Sequence, residues 1–360
     1  MPLLILLLVA GAAVIARRAG DHHPPVAAPP SRSPAQPPAL DTPEPSAGTI
    51  TTEELGHPLL GVTDGWELFG RGADTVVRIE LARGRITRTS VTPPNSSGPV
   101  SFVVGRNWAV VRPLDAVPGV VVQDGQPPGR VAGSLGPSGP ALPGPDPDHL
   151  WAPAPDNAPA LNLVGPDGAP TRLSVALPDT LGGPGGAEPD GTGYLLVHGI
   201  GGVYLGKPDG LRRITTGDVL AAGPSRWLTL ECDDQHHCTP TVIDRKTGAR
   251  RALSRLSVGA ARALTGLISP DGAIAAVYEN EPGGNLRVHL IRLSNGDDRR
   301  LDVSLAQYPD VGSMVWSPDS RWLFLAGDGG RLFPIEGATG DVHDLGAQLP
   351  RLSHVAIRPV

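Results

Sequence analysis

The sequence lacks the motifs that identify several common classes of enzyme. Its 360 residues contain no GxGxxG phosphate-binding loop, no HExxH metal motif and no GxSxG nucleophile elbow, so it gives no sign of a dinucleotide enzyme, a zinc protease or a serine hydrolase. Basic residues are also fewer than acidic residues. A net charge of −6 gives no electrostatic support for nucleic-acid binding. We therefore expect no nucleic-acid partner, no cofactor and no metal ion.

Long amphipathic helices are lacking as well. After residue 20 no stretch repeats apolar residues convincingly at helical spacing, whereas 47 glycines and 41 prolines interrupt the chain. Short apolar runs between such turn residues predict β-strands. The sequence thus predicts an all-β protein.

Residues 312–345 contain the basic structural unit. Apolar runs of about five residues are separated there by the turn Ser317-Pro318-Asp319-Ser320, by residues 327–330 and by residues 338–340. Short runs bounded by Pro, Asp, Ser and Gly are typical of strands. We interpret residues 312–345 as four antiparallel strands of one small sheet.

Residues 264–301 repeat this pattern, with the turn Ser269-Pro270-Asp271-Gly272 at the matching place. An SPDG-like turn between the first two strands and a TG or NG turn between the last two resembles the TolB-type β-propeller repeat, a relative of the tryptophan-aspartate repeats. Because Asp271 and Asp319 recur within tight turns, we interpret them as turn residues and not as catalytic ones.

Two series of residues extend the repeat along the chain. An aromatic residue, or isoleucine in one case, opens the predicted second strand every 33 to 48 residues, and a turn glycine follows it by 16 to 22 residues. Because a propeller blade has about 40 to 45 residues, we predict a seven-bladed β-propeller of four-stranded blades over residues 57–360. The first series is Trp66, Trp108, Trp151, Tyr194, Trp227, Ile274 and Trp322; the second is Gly84, Gly125, Gly168, Gly210, Gly248, Gly296 and Gly340.

Residues 352–358 resemble a first strand with no blade after it. We predict that they pair with the first blade and so leave no open sheet edge. Residues 59–62 are the alternative candidate for the innermost strand of the first blade.

An apolar segment and a proline-rich segment precede the predicted propeller. Residues 3–16 are 14 uninterrupted apolar residues, and residues 21–46 contain nine prolines. The first segment suits a signal peptide or a hydrophobic anchor helix at residues 1–20, with a buried or disordered apolar tail as the alternative. The second predicts a disordered linker over residues 21–56, which is either a stalk that spaces the propeller from a membrane or a linker with no spacing role.

Cys232 and Cys238 are the only cysteines, and His236 and His237 lie between them. A hairpin can bring such residues within the distance that a disulfide needs; a zinc site and free thiols are the alternatives. We favour the disulfide, because adjacent histidines in so tight a loop rarely both reach one ion.

A disulfide indicates an oxidising compartment. We therefore expect a bacterial cell-envelope protein that is membrane-anchored and extracytoplasmic, or secreted if the N-terminal segment is cleaved. Arg17 and Arg18 follow the apolar segment, and the positive-inside rule would by itself place the propeller in the cytoplasm.

In a four-stranded meander, the loops between strands two and three lie on the face opposite the repeated turns. We call this the variable-loop face, and it comprises residues 71–74, 114–118, 156–157, 198–202, 232–238, 279–285 and 328–330. Varied loops on a rigid framework are where binding residues concentrate. The candidate binding residues are Arg71, Asp74, Asp115, Asp156, Asn157, His198, Asp233, Asp234, Glu279 and Asp328.

These features favour a scaffold that binds a protein or an envelope ligand and is not an enzyme. The family resemblance implies an interaction scaffold, although TolB-type repeats also occur beside catalytic domains. The alternative is a propeller hydrolase or lyase on glycans or peptides, in which carboxylates of the variable-loop face converge. A third hypothesis is a sensor that signals through its membrane tether.

Overall fold

The computed structural model describes residues 48–91, 99–114, 119–131, 139–155, 158–177, 186–233, 235, 237–254, 256, 265–280, 286–305 and 311–358. The predicted apolar helix and most of the predicted linker lie outside these ranges. Among the described residues, no helix combines the length and the apolar character needed to cross a bilayer.

The described chain is all-β, as predicted. A 3-10 turn lies at Asp328–Gly330, and most of the regular structure among the described residues consists of short strands bounded by Gly, Pro and Asp turns. The strands are β1 (Ile50–Glu54), β2 (Glu67–Arg71), β3 (Thr75–Glu80), β4 (Arg85–Ser90), β5 (Val100–Val104), β6 (Trp108–Pro113), β7 (Val120–Gln123), β8 (Gly129–Arg130), β9 (Leu142–Pro143), β10 (Leu150–Pro153), β11 (Ala160–Val164), β12 (Pro170–Ala176), β13 (Ala187–Pro189), β14 (Leu195–Gly199), β15 (Gly202–Lys207), β16 (Gly210–Thr215), β17 (Asp218–Ala222), β18 (Arg226–Cys232), β19 (Cys238–Asp244), β20 (Arg250–Ala252), β21 (Gly266–Ile268), β22 (Ile274–Asn280), β23 (Leu286–Arg292), β24 (Asp298–Arg300), β25 (Met314–Trp316), β26 (Trp322–Ala326), β27 (Leu332–Glu336) and β28 (His354–Arg358).

The strands form antiparallel meanders in a propeller-like arrangement. Five sheets of the described chain have four or more strands, in the orders β1-β4-β3-β2-β28, β5-β6-β7-β8, β12-β11-β10-β9, β13-β14-β15-β16 and β20-β19-β18-β17-β21-β22-β23-β24. A sixth sheet, β25-β26-β27, has three strands. The prediction of seven separate four-stranded blades is therefore wrong as stated.

Two local features account for the difference. The eight-stranded sheet joins two predicted blades, because β17 pairs in parallel with β21 at Ala221–Gly266 and Ala222–Leu267. The last predicted blade has three strands, because its fourth strand is reduced to the isolated bridge Ile335–Val342.

Both predicted residue series fall on equivalent positions. Each member of the aromatic series lies within the second strand of a meander or directly before it, as Trp108 does in β6 and Trp66 does before β2. Each member of the glycine series has a positive φ, from 63° at Gly84 to 128° at Gly210. Glycine adopts this conformation without the steric cost that a Cβ atom adds, so these positions end one strand sharply and start the next.

Apolar side chains fill the spaces between successive sheets. Phe69 of β2 and Phe102 of β5 share one buried cluster. Trp66 and Phe324 share another, with ring centroids 5.9 Å apart. Burial between sheet faces therefore holds the arrangement together, since the hydrophobic contribution scales with the apolar area removed from water.

The C-terminal strand completes the first sheet. β28 pairs antiparallel with β2 from Glu67–Arg358 to Arg71–His354, which confirms the predicted pairing of residues 352–358. Arg358 is 4% exposed, and its Nη2 lies 2.6 Å from Glu67 and 2.8 Å from Asp124. One buried guanidinium thus ties the last strand both to β2 and to the end of β7.

The outer strand of the same sheet lies within the predicted linker, so the predicted boundary between linker and propeller is wrong. β1 pairs with β4 from Ile50–Thr89 to Glu54–Arg85, although residues 21–56 were expected to form a disordered linker. Its side chains are exposed, so the pairing rests on backbone hydrogen bonds and on the ion pairs of Glu54 with Arg85 and Glu53 with Arg88, which a hydrophobic pattern does not reveal.

Candidate functional site

The repeated turns of neighbouring meanders meet on one face of the protein. Arg106 donates a backbone hydrogen bond to the carbonyl of Pro147 at 2.8 Å, and the amide of Asp271 donates to Ser320 Oγ at 2.9 Å. Arg245 Nη1 donates to the carbonyls of Asp190 and Gly223 at 2.8 and 2.9 Å. We call this the turn face. The loops between second and third strands lie at the other end of the strands, as antiparallel order requires.

Four of the predicted binding residues, Asp115, Asp156, Asn157 and Asp234, lie outside the described residues. The six others are spread over several sheets. Asp74 accepts a hydrogen bond from the hydroxyl of Thr75 at 3.0 Å. Asp328 accepts one from the amide of Gly329 at 2.8 Å. Each of these two carboxylates therefore has a hydrogen-bond partner within its own loop.

The loop between β18 and β19 is closed by a disulfide. The sulfur atoms of Cys232 and Cys238 are bonded, and the two residues face each other across the strand pair. Asp233 Oδ1 accepts hydrogen bonds from the amides of Gln235 and His237 at 2.9 and 2.8 Å. The covalent bond and these hydrogen bonds hold Asp233, Gln235 and His237 in place on the variable-loop face.

The adjacent loop, between β14 and β15, presents an apolar residue to solvent. Gly199 pairs with Gly202, so Ile200 and Gly201 form the tip of a two-residue hairpin. The side chain of Ile200 is 83% exposed. Polar residues and glycine are usual at such a tip, so an isoleucine there has no evident structural purpose.

His198 lies beside a half-buried carboxylate. Its Nε2 is 3.8 Å from Glu188 of the inner strand β13. Burial opposes ionisation of Glu188, but its interactions with His198 and Thr265 lower the pKa of this carboxyl group below its usual value. His198 therefore has an electrostatic partner that its hairpin position alone did not indicate.

Glu279 also pairs with a histidine, His289 on the neighbouring strand. His289 Nε2 lies 3.0 Å from Glu279, and Nδ1 lies 3.0 Å from Asp298. The hydrogen bond to Asp298 raises the pKa of His289, although partial burial opposes it. The two carboxylates therefore favour the protonated form of the imidazole, and this cross-strand group stabilises the sheet.

Arg71 contacts the C-terminal segment. Its Nη1 donates to Ser353 Oγ at 2.9 Å, next to the buried imidazole of His354. Arg71 is thus part of the closure between β2 and β28 as well as of the variable-loop face.

Sequence reasoning missed a cavity of about 420 Å³ on the turn face. Arg226, Arg292 and Arg321 line it, together with Asp271 and Glu336. Arg321 directly follows the turn that ends at Ser320. Basic residues beside the repeated turns were the signal in the sequence that could have indicated it.

No group of three or more His, Cys, Asp or Glu side chains among the described residues is arranged to hold a metal ion. The zinc alternative for Cys232 and Cys238 is not supported, because their sulfur atoms bond to each other.

Comparisons with known proteins give similarity in fold. No protein-family profile matches the sequence, and no curated protein matches it. A proposed 6-phosphogluconolactonase from Bacteroides fragilis is 10% identical with a TM-score of 0.48, over 83% of this chain and 99% of that one. TolB from Acinetobacter baumannii is 14% identical with a TM-score of 0.43, over 81% and 82%. The periplasmic gluconolactonase PpgL from Pseudomonas aeruginosa is 13% identical with a TM-score of 0.44, over 81% and 98%. At these values the function has to be argued from the chain's own residues.

Proposed function

We propose that this protein is an extracytoplasmic β-propeller, tethered to a membrane, that binds a protein or another envelope ligand through its variable-loop face. The observation that carries the proposal is Ile200, whose apolar side chain stands exposed at a hairpin tip. Single exposed apolar residues are common on protein surfaces, but a hairpin tip usually carries polar residues or glycine, so an isoleucine at this tip is suited to insertion into a partner's apolar pocket.

The neighbouring disulfide loop supports the same surface. Asp233 and His237 are exposed there, while their backbone is fixed by the bond between Cys232 and Cys238. A loop that is already ordered loses little conformational entropy on binding. An apolar anchor beside a rigid polar loop is a combination suited to a protein partner.

We place the protein outside the cytoplasm because its two cysteines form a disulfide, which persists in oxidising compartments. Residues 3–16 would supply the membrane tether, and the proline-rich residues 21–46 the stalk.

The catalytic alternative lacks a comparable observation. A glycosidase needs two carboxyl groups about 5 to 9.5 Å apart over a pocket. Asp74, Asp233 and Asp328 instead hydrogen-bond within three different loops.

A photo-crosslinking residue at position 200 tests the binding surface in cells. We expect a specific adduct from this position and none from Leu173, a 45% exposed apolar residue on the outer strand β12, which serves as the matched control. Ile200→Asp should weaken retention of the captured partner by roughly 10- to 100-fold, as loss of an interface anchor does. Equal adducts from both positions, or unchanged retention by Ile200→Asp, would contradict the proposal.

A further inference from the structure

The cavity on the turn face lies where three successive meanders meet. Arg226 opens β18, Arg292 ends β23, and Arg321 directly precedes β26. Its volume of about 420 Å³ falls within the range of small-molecule sites, about 300 to 1,000 Å³. We call it the arginine groove.

Contacts between meanders orient two of the guanidinium groups, and a contact within its own meander orients the third. Arg226 Nη1 donates to the carbonyl of Gly272 at 2.6 Å, and Arg292 Nη2 donates to the carbonyl of Ala338 at 2.8 Å. The guanidinium of Arg321 lies over the Trp322 ring, 5.1 Å from its centroid. A guanidinium carries five N–H donors in a fixed plane, so one carbonyl contact orients it and leaves donors for a ligand.

The charge balance in the groove selects a singly charged anion. Three arginines stand against two carboxylates, those of Asp271 and Glu336, which leaves one positive charge. Asp271 is held by the Ser269 hydroxyl at 2.6 Å, and Glu336 Oε1 lies 3.7 Å from Arg321 Nε. A dianionic phosphate would exceed the single net positive charge of the lining, whereas one carboxylate of a ligand neutralises it.

The rest of the lining is apolar or hydroxylic. Ile274, Ala273 and Ala338 supply an apolar wall. Ser320 Oγ accepts the amide hydrogen bond of Asp271 at 2.9 Å, so its own hydroxyl hydrogen is available for donation to a ligand. Ser320 has a φ of 62°, where the preceding repeat has Gly272. A serine side chain therefore stands beside the groove in a conformation that favours glycine.

We propose that the arginine groove binds a small organic monocarboxylic acid, with the carboxylate against Arg292 and Arg321 and the apolar body against Ile274. The groove lies on the face opposite Ile200, so the inference is independent of the proposed partner surface.

Isothermal titration calorimetry of the full chain tests this with three probes. We expect 3-methylbutanoate to bind, acetate to bind at least several-fold more weakly because it lacks the apolar body, and inorganic phosphate to bind more weakly than 3-methylbutanoate. Phosphate binding as tight as that of 3-methylbutanoate, equal affinities for acetate and 3-methylbutanoate, or no heat from any of the three would overturn the proposal.

Variants then locate the site. Arg321→Gln and, separately, Arg292→Gln should each weaken 3-methylbutanoate binding by roughly tenfold, as expected for loss of a charged hydrogen bond. Arg213→Gln is the matched control, because Arg213 is an exposed arginine on the outer strand β16. Its affinity should equal that of the unchanged protein. Equal weakening by all three variants would show non-specific screening and refute the groove; melting temperatures confirm that each variant is folded.

Discussion

At the scale of single residues, His354 shows how burial in the C-terminal strand changes the pKa of a side chain. The imidazole is buried at the start of β28, and its Nδ1 lies 2.9 Å from Ser353 Oγ. Loss of solvation, with a smaller contribution from the positive charge of Arg71, lowers the pKa of His354 from 6.5 to about 4. The folded protein therefore holds this residue neutral at pH values where the unfolded chain is protonated.

This shift predicts a pH-dependent stability. Because the unfolded chain binds the proton more readily, the free energy of unfolding should fall by about 3 kcal/mol as the pH is lowered from 6.5 to about 4. His354→Gln should flatten the dependence in that window, whatever its effect on stability at neutral pH. Urea unfolding at a series of pH values measures this, and an unchanged slope in the variant would contradict it.

His289 provides a control of opposite sign. Its pKa is raised by the hydrogen bond to Asp298, so its contribution to stability is present below pH 6.5 and is lost as the pH rises through the pKa of the folded state. His289→Gln should therefore cost more stability at low pH than at high pH.

The sequence alone did not predict which groups surround His354 or which carboxylates pair with His289. His354 and His289 look like ordinary strand residues, and the carboxylates beside His289 come from two other strands, β22 and β24. Which titratable groups meet depends on strand register, and register emerges only when the whole sheet is assembled. The disulfide of Cys232 and Cys238 was accessible from sequence because both partners belong to one hairpin.

At the scale of strands and turns, the glycine series could be predicted from sequence because the positive φ of each glycine is set by its own turn. Gly84 and Gly125 occupy equivalent turns with φ of 63° and 69°. Their surroundings differ, however. A methyl group at Gly84 would lie 2.0 Å from the carbonyl oxygen of His57, whereas nothing lies within 4 Å at Gly125.

The two glycines therefore form a matched pair. Gly125→Ala should lower the free energy of unfolding by about 1 to 2 kcal/mol, because alanine must adopt a left-handed backbone conformation. Gly84→Ala should lower it clearly more, because the carbonyl of His57 must also move. Denaturant unfolding of both variants measures the difference. Equal losses would show that backbone conformation, and not the neighbouring segment, sets the cost.

Other elements could not be inferred from their own residues. The parallel pairing of β17 with β21 and the exposed strand β1 are contacts between segments far apart in sequence. Periodicity identifies a strand and its buried face, but it does not name the neighbour. The arginine groove escaped prediction for the same reason, since its three guanidinium groups come from three separate meanders.

At the scale of the whole molecule, β28 determines whether the first sheet is complete. It pairs with β2 and lies against β5 and β25. Truncation after Arg351 should therefore leave an unpaired edge at β2 and yield a chain that associates or fails to unfold cooperatively. Truncation after Arg358 keeps every residue of β28 and is the control. Size-exclusion chromatography and thermal unfolding distinguish the two, and a monomeric, cooperatively unfolding shorter chain would contradict the expectation.

The pairing of Arg358 with Glu67 across 291 positions has a consequence for biosynthesis. At about 5 to 20 residues per second, a ribosome needs roughly 15 to 60 s to make the distance between them. During that time the nascent β2 has no partner on its inner side. Premature termination at any codon before β28 therefore leaves this sheet open, and quality-control proteases can recognise the product by its unfinished edge.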